Sequence, residues 1–313
     1  MNIVRYKNEL RTEWDSFVKK AKNSTFLFMR DYMDYHADRF FDCSLMFYND
    51  GELRALLPAN YDAERRTATS HGGLTYGGLI LSTDNRGDEV LAMLKAAIEY
   101  MKNECGAEKF IYKPLPHIYS SHPSQEDLYA LFRLNARIAA RSLSSTIDNH
   151  VPVEYSELRR RKIKKAAKEG ITYSECDDWG SYWEILSGVL ASSHGCKPVH
   201  TLEEIELLHS RFPENIKLHA AHKQGTMVAG CVVYDTGRVA HLQYIAASPE
   251  GKAMGALDGL FAHLFENVYK DRKYIDFGIS TEDGGNHLNE GLLFQKEGFG
   301  GRGIVYDVYE IDL

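Results

Sequence analysis

The order of predicted elements repeats along the chain, and this repeat constrains the fold more than any other feature. In the second half, apolar residues at helical spacing over 183–190 precede a hairpin over 217–234. A strand at 241–247, a helix over 257–268 with one apolar face and a strand at 274–279 follow. This half is therefore predicted to be helix, hairpin, strand, helix, strand.

The first half shows the same order about 170 residues earlier. An amphipathic helix around 14–18 is followed by a hairpin over 44–58. After a glycine-broken segment at 71–78, a helix over 90–101 precedes a strand at 109–113. The order of elements, rather than residue identity, predicts an internal duplication.

The predicted fold class is α/β of the α+β type, in two tandem halves with mixed central sheets. The 313 residues exceed the ~100 to 200 of a single domain. Periodicity breaks over 144–155, so the join is expected there. The expected domains are residues 1–148 and 149–313.

Composition excludes several classes of protein. Hydrophobic residues make up 44% of the chain and charged residues 26%, which is near the globular average and excludes wholesale disorder. No run of about eighteen apolar residues occurs and the start is charged, so a cytoplasmic protein without a membrane span is expected. The five cysteines form no CxxC pair, so we expect reduced, mostly buried thiols.

Charge limits the partners. The formal net charge of -7 argues against general nucleic-acid binding, which needs a broad positive field. Residues 159–168 are an exception, with seven cations in ten positions. This run is either a solvated helix face or a docking surface for a phosphate-bearing partner.

The segment after the 241–247 strand is a candidate phosphate site. Small residues at a helix start let backbone amides approach phosphate oxygens, and the helix dipole adds to the attraction. The glycines are equally explained by a turn between strand and helix. As a phosphate cradle the site comprises Ser248, Gly251, Lys252, Met254, Gly255 and Ala256.

The position and flanks of this segment resemble the coenzyme-binding loop of GNAT acyltransferases. In that family the strands on either side splay apart, and the pantetheine arm of coenzyme A lies between them with its pyrophosphate on the loop. This sequence departs from the usual Arg-x-x-Gly-x-Gly/Ala pattern at two positions. Glu250 stands where arginine is expected, and Ala253 replaces a glycine. The matching positions are Gly251, Lys252, Gly255 and Ala256.

Three segments resemble signatures of FemABX transferases, which are tandem GNAT folds. They are Tyr274-Ile-Asp-Phe-Gly278, Gly291-Leu-Leu-Phe-Gln-Lys-Glu-Gly-Phe-Gly-Gly301 and Arg161-Lys-Ile-Lys-Lys-Ala-Ala-Lys-Glu-Gly170. The family is best known for adding amino acids from aminoacyl-tRNA to cell-wall precursors. The resemblance implies two GNAT-like domains with splayed sheets, of which the C-terminal one carries the donor-site motifs.

Three functional hypotheses follow. Members of the family that use tRNA often carry an inserted helical hairpin, and none is predicted in this sequence. The favoured hypothesis is therefore an enzyme that uses acetyl-CoA or another acyl-CoA as donor. Its acceptor would be the amine of a small molecule or of a cell-surface saccharide precursor. The second hypothesis is aminoacyl transfer from tRNA, and the third is a non-catalytic binding protein with a degraded donor site.

Direct attack of an amine on the acyl carbonyl, as the resemblance implies, needs no metal and no covalent enzyme intermediate. It needs positioned reactants, a proton acceptor and a stabilised oxyanion. Asp276 is expected either to accept the proton or orient the acceptor, or to be a structural carboxylate. Lys296 matches a signature lysine and is expected to hold a phosphate or polarise the carbonyl, unless it is a surface lysine. Tyr244 is expected either to protonate a leaving thiolate or to pack in the core.

Acceptor-binding residues are expected in three places. After the helix of the second half, two histidines and a lysine stand where the family's acceptor-side loop begins, although they are equally explained as exposed capping residues. Histidines six positions apart share no helical face, so no metal site is expected. The candidates are His194, Lys197 and His200 in this loop, His71 and Tyr76 in the first half, and Asn286 and Glu290 before the last signature.

Overall fold

The computed structural model describes residues 1–194 and 197–313, and the side chains of Ser193 and His194 lie outside the described set. The chain divides into two compact units. Unit 1 comprises residues 1–143, 281–287 and 305–313, and unit 2 comprises residues 144–280 and 288–304. The end of the chain thus belongs to the first unit, and the expected division at 148/149 stays a prediction.

Unit 1 contains the elements predicted for the first half. Its helices are α1 (Arg11–Val18), α2 (Arg30–Met33), α3 (Gly87–Cys105) and α4 (Glu126–Arg133). Its strands are β1 (Asn2–Arg5), β2 (Phe41–Asp42), β3 (Leu45–Asn49), β4 (Glu52–Leu57), β5 (Asn60–Asp62), β6 (Thr67–Thr69), β7 (Ile80–Leu81), β8 (Lys109–Tyr112) and the first part of β9 (Arg137–Asp148). The predicted hairpin is β3 with β4, and its turn residues Asp50 and Gly51 have φ of 50° and 82°, the positive values that tight hairpins require.

The strands of unit 1 form two sheets. One has the order β1, β3, β4, β7, and in the other β8, β6, β5 and β2 follow one another. β6 and β8 are parallel over three residue pairs, the last of which is Thr69 with Ile111. Helix α3 packs on these strands with Val90, Leu94 and Ala97 fully buried.

Unit 2 repeats this order. Its helices are α5 (Glu157–Lys168), α6 (Trp179–His194), α7 (Leu202–Arg211), α8 (Pro249–Met254), α9 (Ala256–His263) and α10 (Glu290–Glu297). The remaining strands of the chain are β10 (Thr172–Glu175), β11 (Ile216–Lys223), β12 (Thr226–Asp235), β13 (Val239–Ala247), β14 (Tyr274–Ile279), β15 (Thr281–Glu282), β16 (His287–Leu288) and β17 (Arg302–Asp312). The predicted hairpin over 217–234 is β11 with β12.

The sheet of unit 2 has the order β10, β11, β12, β13, β14, followed by the end of β9. β13 and β14 are its parallel pair, and they pair over three positions, the last of which is His241 with Asp276. Beyond that pair these two strands, both fully described, separate. We call this opening the unit 2 fork, and the corresponding opening between β6 and β8 the unit 1 fork.

Two segments differ from the sequence expectation. Residues 144–148, predicted as part of the join, are the end of β9 and pair with β14. The broken periodicity predicted a join, but Ser144 and Thr146 donate hydrogen bonds to a buried carboxylate. Residues 248–256, predicted as a loop, form helix α8 with Ser248 as its cap and Gly255 at its end, and α9 begins at Ala256.

Candidate active site

Asp276 lies at the apex of the unit 2 fork and is fully buried. Its Oδ1 accepts hydrogen bonds from Ser144 Oγ at 2.5 Å and from Thr146 Oγ1 at 2.8 Å. Its Oδ2 lies 2.8 Å from His241 Nδ1. Burial of a carboxylate is costly unless donors replace the lost water. These three donors replace it and fix the position of the carboxylate.

His241 is the member of this cluster that reaches solvent. Its side chain is 14% exposed, whereas that of Asp276 is 0% exposed. Because an ionised carboxylate only accepts hydrogen bonds, His241 Nδ1 carries the hydrogen and Nε2 carries the lone pair. Within the described part of the chain, Nε2 has no hydrogen-bond partner. A histidine oriented in this way by a buried carboxylate is suited to act as a general base.

Sequence reasoning identified Asp276 but missed His241. The two residues are 35 positions apart, and only the parallel register of β13 and β14 brings them side by side. The one available signal was that His241 opens the strand predicted before the candidate phosphate site.

Lys296, on α10, holds the bend in β14 next to this pair. Its Nζ donates to Gly278 O at 2.8 Å and to Ile279 O at 2.7 Å. Register is lost there between Asp276 and Ile279, and Gly278 has a φ of 74°. Lys296 is only 4% exposed, and burial lowers its pKa to about 8, while the Asp276 carboxylate acts in the opposite direction. Lys296 is therefore a buried lysine rather than a surface one, and its expected contact with a phosphate or acyl carbonyl stays a prediction.

Tyr244 and His200 form a second buried pair of unit 2. Tyr244 Oη lies 2.6 Å from His200 Nδ1 and accepts a hydrogen bond from His200 N at 3.3 Å. Burial raises the pKa of Tyr244 to about 12, so the phenol keeps its proton at neutral pH. This state suits the predicted proton donor. His200 is buried at 5% exposure, and its expected acceptor contact stays a prediction.

Backbone packing accounts for two glycines of the predicted phosphate cradle. A Cβ at Gly251 would lie 2.1 Å from Val228 O, and one at Gly255 would lie 2.8 Å from Lys162 O. Ser248 Oγ already accepts the hydrogen bond of Gly251 N at 3.0 Å. Of the other predicted members, Lys252 is exposed and Met254 and Ala256 are buried. Helix α8 therefore begins directly after β13, but it is no open glycine loop.

The predicted acceptor residues of unit 1 are both buried. His71 has a φ of 63°, and burial lowers its pKa well below the ordinary value. It lines a cavity of about 460 Å³ together with Arg30, Phe40 and Phe41. Tyr76 Oη donates to Thr25 Oγ1 at 3.2 Å. His71 therefore lines a cavity of unit 1, Tyr76 is hydrogen-bonded within the same unit, and their expected acceptor contacts stay predictions.

The remaining acceptor candidates are scattered. Lys197 is exposed, and the side chain of His194 lies outside the described residues. Asn286 is exposed and its Nδ2 donates to Asp283 O at 2.9 Å, within the same turn. Glu290 is exposed in the first turn of α10. The structure gathers none of these four around the Asp276 cluster by a described contact.

Comparison with known proteins identifies the fold that contains this site. Residues 157–284 match the family model described as acetyltransferase (GNAT) domain. Over the whole chain the structure is similar to that of FemX, with a TM-score of 0.69 and 13% identity, covering 100% of this chain and 98% of that one. This chain has a tandem GNAT fold.

Two other structures support this assignment. A tandem GNAT protein from the clavulanic acid biosynthesis pathway aligns with a TM-score of 0.54 and 11% identity, covering 99% of this chain and 98% of that one. The C-terminal domain of a putative lysylphosphatidylglycerol synthetase from Agrobacterium fabrum aligns with a TM-score of 0.61 and 14% identity, covering 97% and 92%. No sequence among curated proteins matches. The predicted GNAT fold in tandem is confirmed.

In this tandem GNAT chain, the matched span contains α5, α8 and both strands of the unit 2 fork, while Lys296 lies beyond it. Among the described residues, no group of three or more His, Cys, Asp or Glu could hold a metal ion. No helix within the same residues is long and apolar enough to cross a membrane.

Proposed function

We propose that this chain is an N-acyltransferase in which an amine attacks an activated acyl carbonyl directly at the unit 2 fork. The observation that carries this proposal is the pair of His241 and Asp276, at the point where β13 and β14 separate. His241 Nε2 accepts a proton from the attacking amine, and Asp276 stabilises the imidazolium that forms. A positioned general base typically contributes ~10² to 10⁴ in rate.

The tetrahedral intermediate needs donors for its oxyanion. On β13, Leu242 faces Val233 and Tyr244 faces Val232, so Gln243 is opposite no residue of β12. A bulge leaves ladder amides unpaired. The bulge lies between His241 and Tyr244, which supports a role for its amides in binding the oxyanion. The proton held by His241 then passes to the leaving group.

The finer proposal concerns the donor, for which we favour an aminoacyl-tRNA. Four cations on α5 are exposed and spaced as neighbours on one helical face, and they form no ion pair with a carboxylate in the described ranges. We call these four the α5 stripe, and they are Arg161, Lys164, Lys165 and Lys168. An unneutralised cationic face suits a polyanionic carrier. The full-length likeness to FemX agrees with this choice.

A coenzyme A thioester is the second candidate donor. The match to the acetyltransferase domain favours it, as does the position of α8 immediately after β13. The packing of Gly251 and Gly255 weighs against an open pyrophosphate loop. The proposed acceptor for either donor is an amine of a small molecule or a saccharide precursor.

A charge-reversal experiment separates the two donors. Lys164→Glu with Lys165→Glu should weaken binding of an aminoacyl-tRNA pool more than tenfold and reduce the salt slope of binding by about 2, because two phosphate contacts are lost. Lys19→Glu with Lys20→Glu changes the net charge equally on exposed residues of unit 1, and should leave both quantities near wild type.

If the two double variants lose equal affinity for aminoacyl-tRNA, the α5 stripe is not the tRNA-binding surface. Transfer from acetyl-CoA, together with no salt-dependent tRNA binding, would select the second donor. Failure of both donors to support transfer in the wild type would favour the non-catalytic binding protein instead.

A further inference from the structure

Three sulfur atoms converge in the core of unit 1, away from the residues used above. Cys43 precedes β3, Cys105 is the last residue of α3, and Met101 lies one turn before it. Cys43 Sγ lies 3.8 Å and Cys105 Sγ lies 4.0 Å from Met101 Sδ. Both thiols thus flank the same methionine sulfur. A disulfide requires the two sulfurs to approach to about 2.0 Å, and both already lie within 4.0 Å of one common atom.

The two thiols are unequal in exposure and acidity. Cys43 is fully buried, whereas Cys105 is partly exposed. The neighbouring Cys43 thiol lowers the pKa of Cys105 to about 7, and the Arg5 guanidinium lowers it further, while burial and Glu104 oppose this. The neighbouring Cys105 thiol and burial raise the pKa of Cys43 well above its usual range. At neutral pH about half of the partly exposed Cys105 is therefore thiolate, and the buried Cys43 is thiol.

The other cysteines of the described ranges lack this chemistry. Cys176 is partly exposed like Cys105, but burial and the carboxylate of Asp178 raise its pKa. Cys231 is fully buried, and burial raises its pKa beyond the usual range. Reactive cysteines are accessible thiolates with a second cysteine nearby to resolve the oxidised form.

We propose that Cys105 and Cys43 are a peroxide-reactive pair that is converted to a disulfide. The Cys105 thiolate attacks one oxygen of a hydroperoxide, the O–O bond breaks, and the sulfenic acid and one water or alcohol result. Cys43 sulfur then attacks the sulfenyl sulfur, and its proton leaves with the displaced hydroxide as a second water. In total two thiols lose two electrons and two hydrogens, and the peroxide is reduced.

The disulfide would join the start of β3 to the end of α3. Because α3 connects β7 to β8, the bond would close a long loop of unit 1 and restrict its unfolded state. Oxidised chain should therefore melt several degrees above reduced chain, roughly 5 °C or more for a loop of this length.

The test uses the full chain, reduced and then treated with one equivalent of hydrogen peroxide at pH 7. We expect the intact mass to fall by two hydrogens, and a non-reducing peptide map to join the peptides that contain Cys43 and Cys105. In Cys43→Ser, dimedone should trap a sulfenic acid at Cys105. In Cys105→Ser, the disulfide should not form.

Alkylation of the wild type keeps the test decisive if Cys43→Ser does not fold. Cys105 should react with iodoacetamide about tenfold faster than Cys176 at pH 7, because its larger thiolate fraction outweighs its lower intrinsic nucleophilicity. Equal alkylation rates for these two residues, or peroxide oxidation of the wild type without a bond between Cys43 and Cys105, would overturn the proposal.

Discussion

The two forks share a backbone plan and differ in what occupies it. In each, parallel strands joined through a helix pair over three positions and then separate. In unit 2 the last pair is His241 with Asp276, and in unit 1 it is Thr69 with Ile111. The same position thus carries an acid and base in one unit, and a hydroxyl and a hydrocarbon in the other.

The unit 1 fork is also filled by its own chain. Residues 70–79 leave β6 and return along the end of β8, where Ser70 N donates to Ile111 O at 2.8 Å and Gly77 N donates to Lys113 O at 2.7 Å. Lys113 Nζ donates to Leu74 O within the same segment. The comparison teaches that both units have the fork, whereas the candidate acid and base pair lies in unit 2 alone.

The largest expected effect tests whether the forks differ in chemistry. His241→Ala should lower the single-turnover rate of transfer by ~10² to 10⁴, because it removes the proton acceptor. Thr69→Ala, at the matching position of unit 1, should stay within about twofold of wild type. Rates are to be measured with whichever donor supports transfer. If His241→Ala retains wild-type turnover, the unit 2 fork is not the site of chemistry.

Sequence reasoning reached the parts of this comparison that are encoded locally. Hairpin turns such as Asp50-Gly51, helical periodicity and the repeated order of elements depend on neighbours along the chain. The pairing of His241 with Asp276 depends on parallel register between distant strands, which no local pattern encodes. Ser144 and Thr146 were misread for the same reason, since their polarity serves a carboxylate more than 100 positions away.

The sequence shows where glycines occur after β13, but it does not show why side chains are excluded there. Gly251 and Gly255 fit a phosphate cradle by spacing, yet the carbonyls that exclude a side chain at them belong to β12 and α5. Close approach of backbone to backbone and close approach of backbone to ligand produce the same residue in the sequence. Only tertiary structure distinguishes the two.

The next effect concerns the segment that fills the unit 1 fork. A Cβ at Gly77 would lie 1.8 Å from Ser70 O, so Gly77→Ala should cost about 2 to 3 kcal/mol in the free energy of unfolding by overpacking. Gly87→Ala, at a position where nothing lies within 4 Å, is the matched control and should be nearly neutral. Urea unfolding measures both. Equal stability of the two variants would mean that residues 70–79 are not packed into the fork.

A pH experiment compares the stability contributions of two buried lysines, Lys296 in unit 2 and Lys113 in unit 1. Burial lowers the pKa of Lys296 to about 8 in the folded chain, whereas an exposed lysine titrates near ~10.4. Between these values the unfolded chain holds a proton that the folded chain has released, so folding gains stability as pH rises. The penalty of the buried charge is fully present below about pH 8 and is lost towards pH 10.4.

Relative to Lys296→Met, the wild type should therefore gain ~2 to 3 kcal/mol of unfolding free energy between pH 8 and 10.4. Burial also lowers the pKa of Lys113, in unit 1, to about 8, so Lys113→Met should show a gain of the same sign. Chemical unfolding across this range measures both differences. A flat difference for Lys296 would mean that its ammonium is not buried against the bend in β14.

The smallest effect compares two glycines that end helices, Gly106 after α3 in unit 1 and Gly255 after α8 in unit 2, at φ of 69° and 76°. Alanine at Gly106 meets nothing within 4 Å, so its cost is the left-handed backbone alone, about 1 kcal/mol. Alanine at Gly255 meets Lys162 O at 2.8 Å, and should cost about 1 to 2 kcal/mol more by overpacking.

Donor titration of Gly255→Ala, compared with its unfolding free energy, then separates two roles for this glycine. If donor affinity is unchanged while stability falls, Gly255 serves the packing of α8 on α5. If affinity falls at temperatures where the variant is fully folded, the start of α9 contacts the donor after all.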